Sequence, residues 1–375
     1  RAGIITFHCV YNVGAALQTF ALYHTLESLS EAVLVDYYPW YHRVANHIFR
    51  NPFNALRTHG INKKGIREFF YLSCMDCRFL QKRRSVKKYQ KFLDENIKRT
   101  RRFYSYEELK EGKPVLDVWF AGSDQIWNKD LTGKSLDDAY LLKFVDGAAK
   151  KISYAASVGR EMEQEELYTL AESVKGLDRI SVREQSLADR LSSLVQKPIE
   201  TVLDPTFLLE KSEWMRFIER DGKDRQKYIL VYALEKNKRL NQYAKWLAKQ
   251  SASKVMDISP IDTGISGRVK KKSFVDPVSF LNAIYHADYI VTNSFHGTAF
   301  SLIFEKDFLT FAHSARGERM RSLLRELELD ENLAECDAKI PFEIRHIAYR
   351  QVNLRLQKMR QRSLDFIERA FEKGW

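Results

Sequence analysis

The sequence predicts an α/β protein built as two doubly wound halves that face one cleft. Three observations carry this reading. Short apolar runs alternate with segments of helical period along both halves of the chain. Polar loops follow the apolar runs, where open parallel sheets hold their ligands. The 375 residues suffice for two domains with cores of their own.

Residues 3–8 (GIITFH) read as the first strand, followed by a loop holding Asn12 and Gly14. Residues 15–29 have helical periodicity, and residues 32–38 (AVLVDYY) form the next strand. This opening lacks the GxGxxG spacing, which argues against a dinucleotide site. Residues 41–100 read as a basic, mostly helical insertion, with Ile66, Phe69, Phe70, Cys77 and Leu80 at near-helical spacing. Strands resume at 115–122, running into the polar loop SDQIWN, and then at 151–157 and 179–182. Residues 201–209 close the first half, with Asp204-Pro205 as a turn, because the residue before proline is pushed out of the helical region.

The second half opens on residues 228–234 (YILVYAL), a strong strand. A helix near 240–250 and a strand KVMDIS follow, then an N-capped helix over 276–287. Residues 289–292 are a short buried strand leading to a polar turn and an apolar helix that begins near His296 or Gly297. Residues 306–312 are a further strand. A long helix over 347–371 is expected to pack back on the first half. The expected units are therefore 1–209, with the insertion 41–100, then 210–345, and the C-terminal helix within 346–375.

An apolar fraction of 45% and an aromatic fraction of 13% make this a globular composition. No run approaches the eighteen or so apolar residues of a membrane span. No signal peptide is visible and the chain opens on Arg1, so loss of an initiator Met and a cytoplasmic location are expected. Four cysteines (Cys9, Cys74, Cys77 and Cys336) are too few for a disulfide scaffold. Cys74 and Cys77 form a lone CxxC without a second pair, so no metal is expected. The net charge is +12, and residues 61–102 hold fourteen Lys or Arg against four acids. That segment suits an anionic membrane face or anionic substrate, or is simply a solvated helix face. No nucleic-acid module is recognisable, which argues against that partner.

Four strand ends carry polar side chains able to face one cleft. The first holds His8, Asn12 and Gly14; the second Ser123, Asp124, Gln125 and Asn128, with Trp127 beside them; the third Arg183; the fourth Asn293, Ser294 and His296. Asn293, Ser294 and Thr298 are types that favour helix N-termini, and Gly297 lets a backbone approach a ligand closely. A histidine beside the free N–H groups of a helix start makes an anion site with a proton donor. The plain alternative is a capped helix whose histidine only packs. Asp124 reads either as a base toward a sugar hydroxyl or as a turn cap. Trp127 reads as a stacking surface for a sugar ring or as core. Arg183 reads as a carboxylate or phosphate clamp, or as a surface partner of Glu184. His8 and His24 read as structural, and Cys9, without a base partner, as inert.

The motifs GIITFH with NVGAALQTFAL, AGSDQIWN, SYAASVG, ISVREQS, VLDPTFLL, TNSFHGTAFSLIF and SARGERMRSLL occur in order from about residue 3 to beyond residue 324. In this the chain resembles the polysaccharide pyruvyl transferase family. The resemblance implies two Rossmann-like domains similar to the glycosyltransferase B architecture, with the first half on the acceptor side and the second on the donor side. It implies transfer of a pyruvate ketal (carboxyethylidene) group from phosphoenolpyruvate to a sugar of a surface polysaccharide or its lipid-linked precursor, with release of phosphate. Capsule, exopolysaccharide or cell-wall polymer synthesis in bacteria is the implied setting. Phosphoenolpyruvate is then the donor substrate and no cofactor is needed. By resemblance His296 is the candidate acid and Arg183 holds phosphoenolpyruvate. The acceptor is a sugar, on this reading linked to polyprenyl pyrophosphate, with the basic segment 61–102 against anionic lipid.

One position departs from the family pattern. Many members carry arginine two residues before the histidine, where this chain has Ser294. The helix N-terminus, Arg316 and Arg319 are the candidates to restore that positive charge. Two other readings stand beside the first: a glycosyltransferase using a nucleotide sugar on the same architecture, and a non-catalytic carbohydrate or anion binder.

Overall fold

The computed structural model describes residues 1–45, 61–62, 66, 79–219, 226–272, 275–314, 317–335, 340 and 342–372. Phe69, Phe70, Cys74, Cys77, Arg316 and Cys336, named above, lie outside the described residues, as does most of the expected insertion.

The first sheet has seven strands: β1 (Ala2–Ile5), β2 (Ala32–Tyr37), β3 (Arg99–Phe103), β4 (Val118–Ala121), β5 (Lys150–Ala156), β6 (Arg179–Val182) and β7 (Ile199–Thr201). They lie in the order β3-β2-β1-β4-β5-β6-β7, all parallel. The second sheet has β8 (Tyr228–Tyr232), β9 (Lys254–Asp257), β10 (Val269–Lys271), β11 (Tyr289–Thr292), β12 (Phe308–Phe311) and β13 (Leu333–Ala334). Its order is β10-β9-β8-β11-β12-β13, again all parallel. Both sheets wind in opposite directions from their middle, so the two units are Rossmann-like and the whole is similar to the glycosyltransferase B architecture. The central strands β1, β4, β11 and β12 are buried at every residue, as parallel strands covered on both faces must be. That double cover is why they appear in the sequence as unbroken apolar runs.

In each sheet the winding reverses beside a pair of central strands, β1/β4 in the first and β8/β11 in the second. The loops after β4 and β11 therefore sit at the topological switch points, where such sheets bind ligands. Asp124 follows β4 and His296 follows β11.

The units share one apolar core. The helix Val13–Leu29 is buried along most of its length. Its Phe20 ring meets Phe92 at 5.6 Å, and Trp214 and Phe217 at 5.4 Å each. The C-terminal helix Tyr349–Glu368 ties both units together. Its first residue donates from the Tyr349 hydroxyl to the Ser301 carbonyl at 3.3 Å. Its far end accepts the Leu203 N–H on Ser363 Oγ at 3.0 Å, and Arg369 pairs with Glu200 at 2.7 Å.

The edge strands β3, β7, β10 and β13 escape the sequence reading. They have two to five residues each, and their side chains are largely polar or only partly buried. In β3 the sequence RTRRF pairs with β2 because Arg102 reaches the buried Asp36 at 3.1 Å. The same carboxylate receives His8 Nε2 at 3.0 Å, the structural role expected of that histidine. Burial pushes the Asp36 carboxyl up, but His8 and Arg102 win and hold it at about 2. Burial pushes the Cys9 thiol well up, which fits an inert sulfur.

Among the described residues, no helix is long and apolar enough to cross a membrane. The helix Phe79–Asn96 leaves Arg83, Arg84, Lys87 and Lys88 exposed, and Lys88 lies 3.5 Å from Asp276.

Candidate active site

Arg183 follows β6 and is buried, with its Nη2 2.8 Å from Asp204 Oδ2 and a further bond to Ser123 Oγ after β4. Asp204 is set by its own turn: Oδ1 accepts the Thr206 N–H at 2.9 Å and the Thr206 hydroxyl at 2.7 Å. The same Asp204 Oδ2 lies 3.7 Å from His296 Nε2. That is close enough for charge interaction and too long for a hydrogen bond. The imidazole itself lies on the start of the Val13–Leu29 helix. A Cβ built on Gly14 would come 2.1 Å from His296 Nδ1. Two helix N-termini thus meet at His296, one capped by Asn12 and one by Ser294. Both direct partial positive charge at this spot.

Arg319, from the helix Glu318–Glu326, brings a second buried guanidinium. It lies 5.3 Å from the Phe295 ring centroid, and Arg183 lies 5.2 Å from the same ring. Its Nε is 3.9 Å from Glu184 Oε1, which also accepts the Ser157 hydroxyl. At this site four buried nitrogens have no hydrogen-bond partner among the described residues: Arg183 Nε, Arg183 Nη1, Arg319 Nε and His296 Nε2. Leaving buried charged donors unpaired is costly, and such groups call for an explanation. Arg183, Asp204, Phe295 and Arg319 line a small cavity of about 50 Å³ that runs under the C-terminal helix at Met359, Arg362 and Ser363.

Burial pushes the Arg319 guanidinium down to about 10, and neighbouring Arg183 adds to this. Burial also lowers the His296 imidazole; Asp204 opposes the shift, and Arg183 reinforces it. At neutral pH the histidine is therefore neutral. Burial raises the Glu184 carboxyl against the pull of Arg319. Burial pushes Asp204 up as well, but Arg183 and then His296 outweigh it and hold the carboxyl down. Asp124 acts on both His296 and Arg319, so it belongs to the same electrostatic neighbourhood. Its backbone φ is 75°, in the left-handed region that Asp tolerates better than most side chains.

This arrangement offers an anion two buried guanidinium groups, with a neutral imidazole able to take and give a proton and a part-exposed carboxylate nearby. A family model described as polysaccharide pyruvyl transferase matches residues 12–315. The chain belongs to the polysaccharide pyruvyl transferase family. No curated protein matches it. Solved structures of similar shape include the UDP-GlcNAc 2-epimerase from Neisseria meningitidis bound to UDP-GlcNAc, at 11% identity and TM-score 0.47, covering 100% of this chain and 99% of that chain. The UDP-N-acetylglucosamine 2-epimerase from Rickettsia bellii is 10% identical with a TM-score of 0.45, covering 99% and 98%. The E. coli ADP-heptose lps heptosyltransferase II is 10% identical with a TM-score of 0.36, covering 96% and 99%.

In this family member the structure brings Gly14, Ser123, Asp124, Arg183, His296 and Arg319 together. Other candidates have structural work instead. Asn293 accepts the Leu234 N–H at 2.7 Å and donates to the Glu235 carbonyl at 3.1 Å, joining two strand ends. Ser294 caps its helix, accepting the Gly297 N–H at 3.4 Å. Thr298 is buried between the Ser294 carbonyl and the Thr310 hydroxyl. A Cβ on Gly297 would meet Thr292 Oγ1 at 2.4 Å, so its bareness lets helix and strand pack. Gln125 and Asn128 bond each other at 3.0 Å and brace the loop against Gly159. Trp127 is 1% exposed with its indole N–H on the Tyr140 carbonyl, so its ring is core and not a stacking surface. Arg183 is no surface partner of Glu184; it pairs with Asp204. Asn12 is an exposed cap. The helix at His296 starts at Phe295, one residue earlier than its periodicity suggests.

Sequence reasoning missed Asp204, Glu184 and Phe295. Asp204 shows in the sequence only as a turn before proline, and nothing local reveals that the turn points a carboxylate at Arg183. Gly14→Ala should cut turnover at least roughly 10²-fold, because its methyl group would displace the imidazole by more than the 1 Å that catalysis tolerates. Thermal unfolding of the variant should stay cooperative; wild-type turnover in Gly14→Ala would remove His296 from the reaction.

Proposed function

We propose that this family member transfers a pyruvate ketal group from phosphoenolpyruvate to a diol of a polysaccharide or lipid-linked sugar. The observation that carries the reading is the pair of buried arginines, Arg183 and Arg319, with unpartnered nitrogens beside His296. Phosphoenolpyruvate carries a carboxylate and a phosphate on adjacent atoms, and guanidinium forks suit both. Arg319 supplies the positive charge that Ser294 lacks.

The reaction balances without an external proton. His296, which takes up a proton as the donor binds and regains it at the end of each turnover, gives that proton to the methylene carbon C3, and the C2=C3 electron pair forms the new C–H bond. An oxocarbenium-like centre is left at C2. One sugar hydroxyl adds there, losing its proton to Asp124. The C2–phosphate bond then breaks, and the second hydroxyl bonds to C2. Of the two hydroxyl protons, one replaces the proton given to the methyl group and the other leaves on hydrogen phosphate. The helix termini and arginines hold the charge that develops on the departing phosphate.

Peripheral contact with anionic lipid through the basic helix belongs to this reading and is carried by charge alone. The test is phosphate release from phosphoenolpyruvate with candidate diol sugars, with mass spectrometry for the added carboxyethylidene group. Phosphoenolpyruvate should raise the melting temperature, by about 2.7 kcal/mol of stabilisation at a hundredfold excess over its Kd. A rise with UDP-sugars and none with phosphoenolpyruvate would favour the nucleotide-sugar transferase instead.

A further inference from the structure

The ends of β2 and β3 carry a cluster of aromatic and cationic side chains that the site above does not use. Trp40 is 58% exposed and Tyr104 45% exposed, both high for rings of this size. Tyr38 lies beside Tyr104 with ring centroids 6.5 Å apart. Arg43 sits over the Tyr104 ring at 5.5 Å and Arg102 over the Tyr38 ring at 5.0 Å. Arg102 is already paired with Asp36, but among the described residues no carboxylate pairs with Arg43.

The cluster is held rigidly. Trp40 meets Tyr41 edge-on at 5.8 Å and rests against Gly133, where a Cβ would come 2.8 Å from its ring. Beneath it, the Tyr37 hydroxyl donates to Asp137 Oδ2 at 2.9 Å, and the Tyr41 hydroxyl donates to the same oxygen. Gly133 and Asp137 belong to the segment that continues from the Asp124 loop. The cluster therefore stands on the same carboxyl edge of the first sheet as Asp124.

We infer that Trp40, Tyr104 and Arg43 form a binding platform for an acidic sugar unit of the acceptor chain. Flat aromatic groups with a polar rim suit the apolar face of a pyranose ring. The Arg43 guanidinium adds a fork for a uronate or sugar phosphate. Membrane insertion is the less favoured use: a guanidinium lies over one face of each tyrosine ring, which leaves Trp40 as the one large apolar group of this cluster free to insert, far short of an apolar helix face. The inference rests on the proposed transferase reading for the word acceptor, but the platform's binding is measurable without turnover.

The experiment is titration calorimetry of the whole chain with oligogalacturonide, with neutral maltooligosaccharide, and with phosphatidylglycerol vesicles. Wild type should prefer the acidic oligosaccharide. Trp40→Ala should weaken its binding at least tenfold, and Trp40→Phe should retain most of it. Arg43→Glu should remove the preference for acidic over neutral chains. The phosphoenolpyruvate-induced rise in melting temperature should be the same in all three variants. Equal oligosaccharide binding by wild type and Trp40→Ala overturns the platform, as does no binding by wild type, or Trp40-dependent binding to vesicles alone. If the platform binds sugars but phosphoenolpyruvate neither binds nor reacts, the platform stands and the donor assignment falls.

Discussion

Arg183→Ala should abolish the phosphoenolpyruvate-induced stabilisation and lower turnover by about 10²–10³-fold or more, the scale of losing one preorganised charge donor. It should also destabilise the fold. Removing the guanidinium leaves Asp204 fully buried without its 2.8 Å partner, and breaking such a pair costs about 3–5 kcal/mol. Urea unfolding midpoints measure this loss. The two effects separate in the double variant Arg183→Met with Asp204→Asn, which removes both charges. That variant should recover most of the stability and none of the turnover. Arg183→Lys keeps the charge but loses the planar fork that reaches Asp204 and Ser123 together, so it should fall between. Turnover within tenfold of wild type in the stable double variant would remove the donor site from Arg183.

His296→Gln should lower turnover about 10²–10⁴-fold, the usual contribution of a positioned acid. Its pH behaviour is more diagnostic than its size. In the free protein burial depresses the imidazole, so His296 is neutral at pH 7. The buried site then sets Arg183 and Arg319 against Asp204 and Glu184, which leaves little net positive charge for a multiply charged anion. Bound carboxylate and phosphate stabilise the imidazolium, so donor binding takes up a proton at His296. Affinity for phosphoenolpyruvate should therefore fall as pH rises through neutrality, by at most tenfold per unit. Calorimetry in buffers of different ionisation enthalpy should show proton uptake in wild type and a smaller uptake in His296→Gln. Identical uptake in both would refute the imidazole as the proton carrier.

The same shift bears on stability, with a definite sign. A histidine whose folded pKa lies below its unfolded value of about 6.5 binds more protons when unfolded. Its contribution is complete above that value and declines as pH falls toward the depressed folded pKa.

Much of this molecule is legible in the sequence, and the reason is locality. Strands β1, β4, β8 and β11 show as apolar runs because parallel strands are buried on both faces. The helices at Val13 and Pro277 show through their period and their Asn12 and Asp276 caps. His296 and Arg183 stand out because each follows a strand, and the family's motifs surround them. The edge strand β3 does not show, since its arginines look like surface charge until Asp36 is placed beside them.

Gly14 and Gly297 illustrate the boundary. Both look in sequence like backbone left bare for a ligand. In the fold one makes room for the His296 imidazole and the other for the Thr292 hydroxyl. Trp127 looks like a sugar platform and is core, whereas Trp40, just before the basic segment and unremarked in the sequence, is exposed.

The family, the two-sheet α/β plan and the histidine and arginine at the strand ends are all readable from the sequence. All of these depend on residues near one another along the chain. Only the closed fold sets Asp204 on Arg183 and toward His296, and brings Arg319 and Glu184 into the same buried group of charges. Those pairings join residues from separate loops and both halves of the chain. Their strength comes from burial and distance, quantities that no stretch of sequence contains until the two sheets have closed on the first helix.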